Sequence, residues 1–163
     1  MTDRRDTTDA AAPQLHPADA VAAILVVPQR GYLLQLRDIR PDIFFPGHWG
    51  LFGGAIDAGE SEAAALSREL AEEIGLIVPA GAARYVTRID FDWNLPSCGR
   101  TTRAFFEVTL PAERLPTLAL REGADLRVFT ADEVLGLTPV TPYDAFALWF
   151  HVNRARIGQS RPS

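Results

Sequence analysis

The segment SEAAALSRELAEEIG, from Ser61 to Gly75, constrains the fold more than any other part of the chain. Ala63, Leu66, Leu70 and Ile74 recur at helical spacing and draw one apolar stripe. Ser61 is placed to cap the start, and Gly75 supplies the stop. Asp57, Glu60 and Glu62 lie near the positive end of the helix dipole, where acids are favourable. Glu69, Glu72 and Glu73 break that logic, because they crowd the negative end. Each acid there is unfavourable by ~0.3–1 kcal/mol. Acids three and four apart repel by a further ~0.2–0.5 kcal/mol per pair. The pattern predicts a helix with something positive beside its last turn.

The flanking sequence supplies strands to cover this helix. Ala20 to Pro28 is a short run rich in β-branched residues, and Tyr32 to Asp38 returns as its antiparallel partner after the Arg30-Gly31 turn. IRPDIFFPGHWG reads as a loop, and Leu51 to Asp57 as a short extended piece interrupted by a glycine pair. Glycines in such a place mark a bulge or a close approach of backbone to a ligand. Two further strands, Ala83 to Phe91 and Thr101 to Leu110, are joined by the loop DWNLPSCGR. A last strand at Ala124 to Thr130 precedes a short helix, ADEVLGL, and a C-terminal helix with Phe146, Trp149 and Phe150 as its apolar residues. Strands on both sides of a central helix, with a closing helix, make an α/β protein: a mixed sheet sandwiched between helices. With 163 residues, 47% of them hydrophobic, the chain fits one domain with a real core. Its expected limits are 18–157, with a flexible arm over 1–17 and a flexible tail over 158–163.

The complete stretch GAIDAGESEAAALSRELAEEIGL, Gly54 to Leu76, resembles the signature of the Nudix hydrolases. That signature is a glycine, five residues, Glu, seven residues, Arg-Glu, then apolar-any-Glu-Glu-any-Gly-apolar. Gly54, Glu60, Arg68, Glu69, Leu70, Glu72, Glu73, Gly75 and Leu76 meet every defined position. The resemblance implies the family's α/β/α sandwich and its reaction: water attack at phosphorus on a diphosphate that joins a nucleoside to another group. It also implies Mg2+ or Mn2+, for which carboxylate oxygens are suitable hard ligands. A cation of that kind would account for the misplaced acids.

Carried over position by position, the resemblance makes Glu69, Glu72 and Glu73 the helix-borne metal ligands, one of them also a candidate to activate water. It adds the Gly53 carbonyl as a further ligand. Glu60 and Arg68 resemble the family's buried pair, in which the arginine orients the helix and its acids. Glu122 resembles the additional loop acid of many members, set against its reading as one more exposed acid. Arg37 occupies a position where members present a phosphate-binding cation, with Arg40 as competitor. Trp93 is read as a pocket residue that stacks on a base or sugar, Trp49 as core, and His48 as a loop residue. Phe52-Gly53-Gly54 replaces the Pro-Gly-Gly of many members, which is expected to reshape the wall near the substrate. The downstream Pro or Tyr that flags the ADP-ribose and dinucleoside-polyphosphate subfamilies is absent; Phe91 to Asn94 occupy that region. The segment LLQLRD…FFPGHWGLFGG resembles the coenzyme A subfamily only with altered spacing. Nucleotide sugars and nucleoside triphosphates both remain open as substrates.

Composition excludes other classes. A net charge of −5 gives no basic footprint for duplex nucleic acid. One cysteine, Cys98, permits no internal disulfide, and no Cys/His cluster suggests zinc. Without a signal-like core or an apolar span, a cytoplasmic protein with a small-molecule nucleotide substrate and no membrane partner is expected. Whether it acts alone or as a homodimer stays open. Two rivals differ in class. A non-catalytic Nudix-fold module that senses a nucleotide would commonly have lost box carboxylates, and this chain keeps them all. An allylic-diphosphate isomerase of related fold needs a cysteine with a partner acid, a context that Cys98 lacks.

Overall fold

The computed structural model describes residues 17–95 and 98–159. The expected arm lies outside the described residues except for Pro17. Of the expected tail, Gly158 and Gln159 belong to the closing helix and the remainder lies outside the described residues.

Strand β1 (Ala20–Val27) runs through the middle of a six-stranded mixed sheet. It pairs antiparallel with β2 (Gly31–Leu36) and parallel with β5 (Cys98–Thr109), which pairs antiparallel with β4 (Ala83–Leu95). The end of β2 is flanked on both sides: Gln35 faces Gly50 of the short β3 (Trp49–Gly50) and Leu126 of β6 (Asp125–Phe129). Alternation along β1 sorts its side chains into two cores. Val21, Ala23, Leu25 and Val27 pack with Leu66, Leu70 and Ile74 of α1 (Glu62–Ile74). Ala22 and Ile24 pack with Val134 of α2 (Ala131–Gly136), and with Ala147, Leu148 and Val152 of α3 (Pro142–Gln159). The result is an α/β/α sandwich, as the sequence predicted.

Helix α1 has the predicted ends. The Ser61 hydroxyl accepts from the Ala64 N–H at 3.3 Å, and Gly75 adopts the left-handed conformation at φ 67°. The Gly75 and Leu76 N–H groups then close on the carbonyls of Ala71 and Leu70, at 3.1 and 3.0 Å. Leu66, Leu70 and Ile74 are essentially fully buried, each contributing roughly 1.5–3 kcal/mol, whereas Ala63 of the expected stripe is exposed and Ala65 is buried instead.

Two further expectations are corrected, and one element is new. The loop expected over DWNLPSCGR is mostly strand, since β4 continues to Leu95 and β5 begins at Cys98. Asp92 pairs with Arg100 and Leu95 with Cys98 across an irregularity that absorbs the slip in register. The apolar stripe of α3 is also rotated: Phe146 and Trp149 are 54% and 55% exposed, while Tyr143, Ala147, Leu148 and Val152 face inward. Buried polar residues on the same face set that rotation. Asp144 Oδ2 accepts from the Leu51 N–H at 2.9 Å and the Thr141 hydroxyl at 2.7 Å. His151 sits between the Tyr32 hydroxyl (3.0 Å) and Glu107 (2.7 Å). Finally, a 3-10 helix at Ala112–Thr117 was not anticipated. Among the described residues, no helix is long and apolar enough to cross a membrane.

Candidate active site

Two glycines join the sheet to the acid-bearing helix. Gly53 has φ 131°, and a Cβ there would stand 2.3 Å from the Val21 carbonyl oxygen. The carbonyls of Phe52 and Gly54 accept from β1, from the Ala23 and Val21 N–H groups. A Cβ on Gly54 would stand 2.6 Å from a carboxylate oxygen of Glu69. One glycine therefore permits a close backbone approach, and the other makes room for an acid. Phe52, expected to reshape the substrate wall, is instead fully buried in the core beneath α1.

The acids are held differently. Glu73 is 5% exposed; its carboxylate accepts from the Gly53 N–H at 2.8 Å and from Gln35 Nε2 at 3.3 Å. Burial pushes its carboxyl up to about 7, against those two donors, and the nearby charges of Glu122 and Glu69 add to the rise. Burial also raises Glu69, against the guanidinium of Arg68. Glu72 is the exposed member, on the outer side of the helix beside Arg68. Among the described residues no three acids stand close enough together to form a ready-made cation seat. Arg68 Nη1 engages Glu69 at 2.7 Å and Glu72 at 3.3 Å, whereas Gln35 and Gly53 draw Glu73 to the sheet.

Arg68 and Glu60 form a two-pronged pair, Nε to Oε1 at 3.1 Å and Nη2 to Oε2 at 2.9 Å. The pair is partly rather than fully buried. Arg68 also donates to the Ala55 carbonyl at 2.9 Å, so one guanidinium fastens the helix to the glycine segment and to the loop before it. Arg68 holds Glu60 below the usual carboxylate range, helped by the Asp57 N–H.

A positive charge at the carbonyl end of the helix, separate from the cation expected beside the acids, comes from a residue that the sequence reading passed over. The last turn of α1 contains no basic residue. Arg121 supplies the charge from the loop before β6: its Nη1 donates to the Ala71 carbonyl at 3.1 Å and its N–H to the Glu73 carbonyl at 2.8 Å. Glu122 follows it, exposed, in a crevice shared with Gln35, Arg37 and Arg40.

Beside the glycine segment opens a cleft of about 160 Å3, walled by Phe44, Phe91, Trp93 and Tyr143 and flanked by Arg37 and Arg103. Trp93 packs against Phe44 with ring centroids 4.9 Å apart and donates its Nε1–H to the Thr101 hydroxyl at 2.7 Å. Trp93 thus lines the cleft from strand β4, not from the loop expected there. Arg37 lies where this cleft meets the Glu122 crevice, its Nε donating to the Phe44 carbonyl at 2.9 Å. Arg40 pairs outside with Asp42. Trp49 stacks edge-on against Phe129 in the core, and His48 bonds locally to Pro46. Phe44, Arg103 and Tyr143 were missed. Arg103 lies over the Tyr143 ring at 4.8 Å, with Nε 3.4 Å from Asp144 Oδ1; neither of those two atoms has a hydrogen-bond partner. The adjacent aromatics Phe44 and Phe45, in a loop rich in proline and glycine, were the available signal for the first of them.

A family model described as NUDIX domain matches residues 16–150. A Mycobacterium tuberculosis protein provisionally named 8-oxo-dGTP diphosphatase 2 is 66% identical over 46 residues, 28% of this chain and 32% of that protein. The chain's match therefore spans about a third of that relative's length. Among solved structures, an Escherichia coli dihydroneopterin triphosphate pyrophosphohydrolase superposes with a TM-score of 0.68 at 20% identity, over 86% of this chain and 99% of that one. The NUDIX domain of Shewanella oneidensis NrtR, solved with ADP-ribose, gives 0.66 at 20% identity, over 93% and 94%. At such identities these two likenesses speak to the fold.

Proposed function

Because the chain belongs to the Nudix family, we propose that it is a divalent-metal-dependent pyrophosphohydrolase acting on a nucleoside diphosphate linked to another group. One observation carries the reading. A buried carboxylate, Glu73, is held against its own ionisation beside Glu69 and Glu122, next to a glycine segment that floors an aromatic cleft with arginines. Such oxygen donors fit Mg2+ or Mn2+, because a hard cation would relieve the crowding that burial and like charge create. Glu69, Glu72, Glu73, the Gly53 carbonyl and Glu122 would hold it. When bound, the ion would offset charge on the phosphate oxygens and favour ionisation of a water.

The chain's own residues do the rest. Arg68, braced by Glu60, sets the direction of the Glu69 carboxylate. Arg37 would hold phosphate oxygens where the cleft meets the acids, and Phe44 and Trp93 would receive the base or sugar. No Ser-His or Cys-His pair offers a covalent route among these residues, so water attacks phosphorus directly. The curated relative's name favours a nucleoside triphosphate over a nucleotide sugar, with monophosphate and pyrophosphate as products. A panel of nucleotides assayed with and without Mg2+ tests the reading. Metal-dependent release of monophosphate is expected; no turnover of any nucleotide would overturn it. Binding without turnover would instead favour a non-catalytic, nucleotide-sensing module.

A further inference from the structure

We propose that Arg121 is a positioning residue for the acid cluster: it clamps the loop 119–123 to the end of α1 and so holds Glu122 opposite Glu73 and Glu69. The proposal rests on the metal-site reading above and adds to it a residue that lies outside the sequence signature.

Three hydrogen bonds tie this loop to the helix end. The Ala119 N–H donates to the Ile74 carbonyl at 3.1 Å, the Arg121 N–H to the Glu73 carbonyl at 2.8 Å, and Arg121 Nη1 to the Ala71 carbonyl at 3.1 Å. Only the last uses a side chain, and it places a cation at the negative end of the helix dipole. The same guanidinium lies beside Gly75, which ends the helix: a Cβ there would stand in ordinary van der Waals contact, 3.5 Å from Arg121 Nη2. The other side of Glu122 is fastened to β2. The Gly123 N–H donates to Asp38 Oδ2 at 3.3 Å and the Ala124 N–H to the Leu36 carbonyl at 2.8 Å. Gly123, at φ 93°, also lets Gln35 close against the loop; a Cβ there would be 2.9 Å from Gln35 Oε1. Gln35 in turn holds the Glu73 carboxylate.

Glu122 therefore hangs between two anchored points, one on the acid-bearing helix and one on the strand whose glutamine grips Glu73. Among the described residues its exposed side chain meets no hydrogen-bond or ion-pair partner, so the backbone on either side sets where it points. The Arg121 guanidinium has a double use: it places positive charge at the carbonyl end of the helix and helps to fix the distance at which a fourth acid meets the other three. Removing it should loosen the loop on the helix side, where two backbone hydrogen bonds remain, while Gly123 still holds the strand side.

The test compares Arg121→Ala, Arg121→Lys, Glu122→Gln and the Ala/Gln double variant. Mn2+ affinity is read by the paramagnetic resonance of the free ion, melting temperature in chelator, and kcat and KM separately. Arg121→Ala should weaken Mn2+ binding by about tenfold or more, as loss of an outer partner of a metal ligand does. The double variant should bind no more weakly than the weaker single one, because both changes remove the same contribution. Loss of turnover should fall on kcat rather than KM, and Lys should restore part of it. Unchanged Mn2+ affinity in Arg121→Ala, or additive losses in the double variant, would overturn the proposal and leave Arg121 a simple helix cap. A wild-type chain that binds no Mn2+ would overturn the metal-site reading together with it, a result distinct from both.

Discussion

Glu73 shows at the scale of one residue why acids were placed where a helix disfavours them. With its carboxyl pushed up to about 7 by burial, the native state holds that proton more tightly than the unfolded chain, where the ordinary value is 4.5. Between these values the native state binds more protons, so stability falls as pH rises across that window. In chelator, urea midpoints of the wild type should fall from about pH 4.5 to about pH 7, and Glu73→Gln should flatten the slope. The same variant should lose turnover, because an amide is a poorer cation ligand than a carboxylate. An unchanged slope would remove the basis for a strained acid. Gly54 gives a second test. Alanine there would press its Cβ on the Glu69 carboxylate, a flexible side-chain end that can move aside. The fold should survive at a cost of about 1–3 kcal/mol, while kcat drops by about 10²-fold from the displaced acid. Wild-type kcat in Gly54→Ala would show that the position of Glu69 does not matter.

The elements differ in how their faces were decided. Helix α1 follows its periodicity for Leu66, Leu70 and Ile74, which are buried, and both caps form; only the first position differs, with Ala65 buried in place of Ala63. Helix α3 does not, because Asp144 and His151 have fixed partners and carry Ala147 and Leu148 inward with them. Ala147→Leu should therefore cost about 1–3 kcal/mol by overpacking. Trp149→Ser, on the exposed side, should stay within about 0.5 kcal/mol. Urea denaturation of both variants checks the rotation: equal destabilisation would mean that Trp149 is buried by something else. The strand correction has a related cause. Loop-like composition in DWNLPSCGR did not prevent pairing, because the β4–β5 ladder offers backbone partners on both sides of the irregularity, Asp92 with Arg100 and Leu95 with Cys98.

For the whole molecule, the acids, the glycine segment and the arginines come from separate parts of the chain and meet at one edge of the sandwich. A cation bound there engages only the native state and must stabilise it, by ~2.7 kcal/mol at a hundred times its dissociation constant. For a domain of this size that is a rise of roughly 5–10 °C in Tm on adding millimolar Mg2+ to chelated protein. No rise would count against the site.

What the sequence determined by itself was local and periodic: the position and caps of α1, the order of elements, and the acids, arginine and glycines of the 23-residue signature. These follow from spacing along one helix and from backbone rules that act over a few residues. What only the tertiary structure decided was every pairing across the chain. Arg121 lies 50 residues from the carbonyl it caps, and Gln35 38 residues from the acid it holds. Phe44, Trp93, Arg103 and Tyr143 become one cleft only when the β2–β3 loop, β4, β5 and α3 converge. A side chain's partner at such distances depends on register and helix rotation, and here buried Asp144 and His151 set the rotation of α3. Periodicity announces that a face will be buried; the few polar groups that must find partners choose which one.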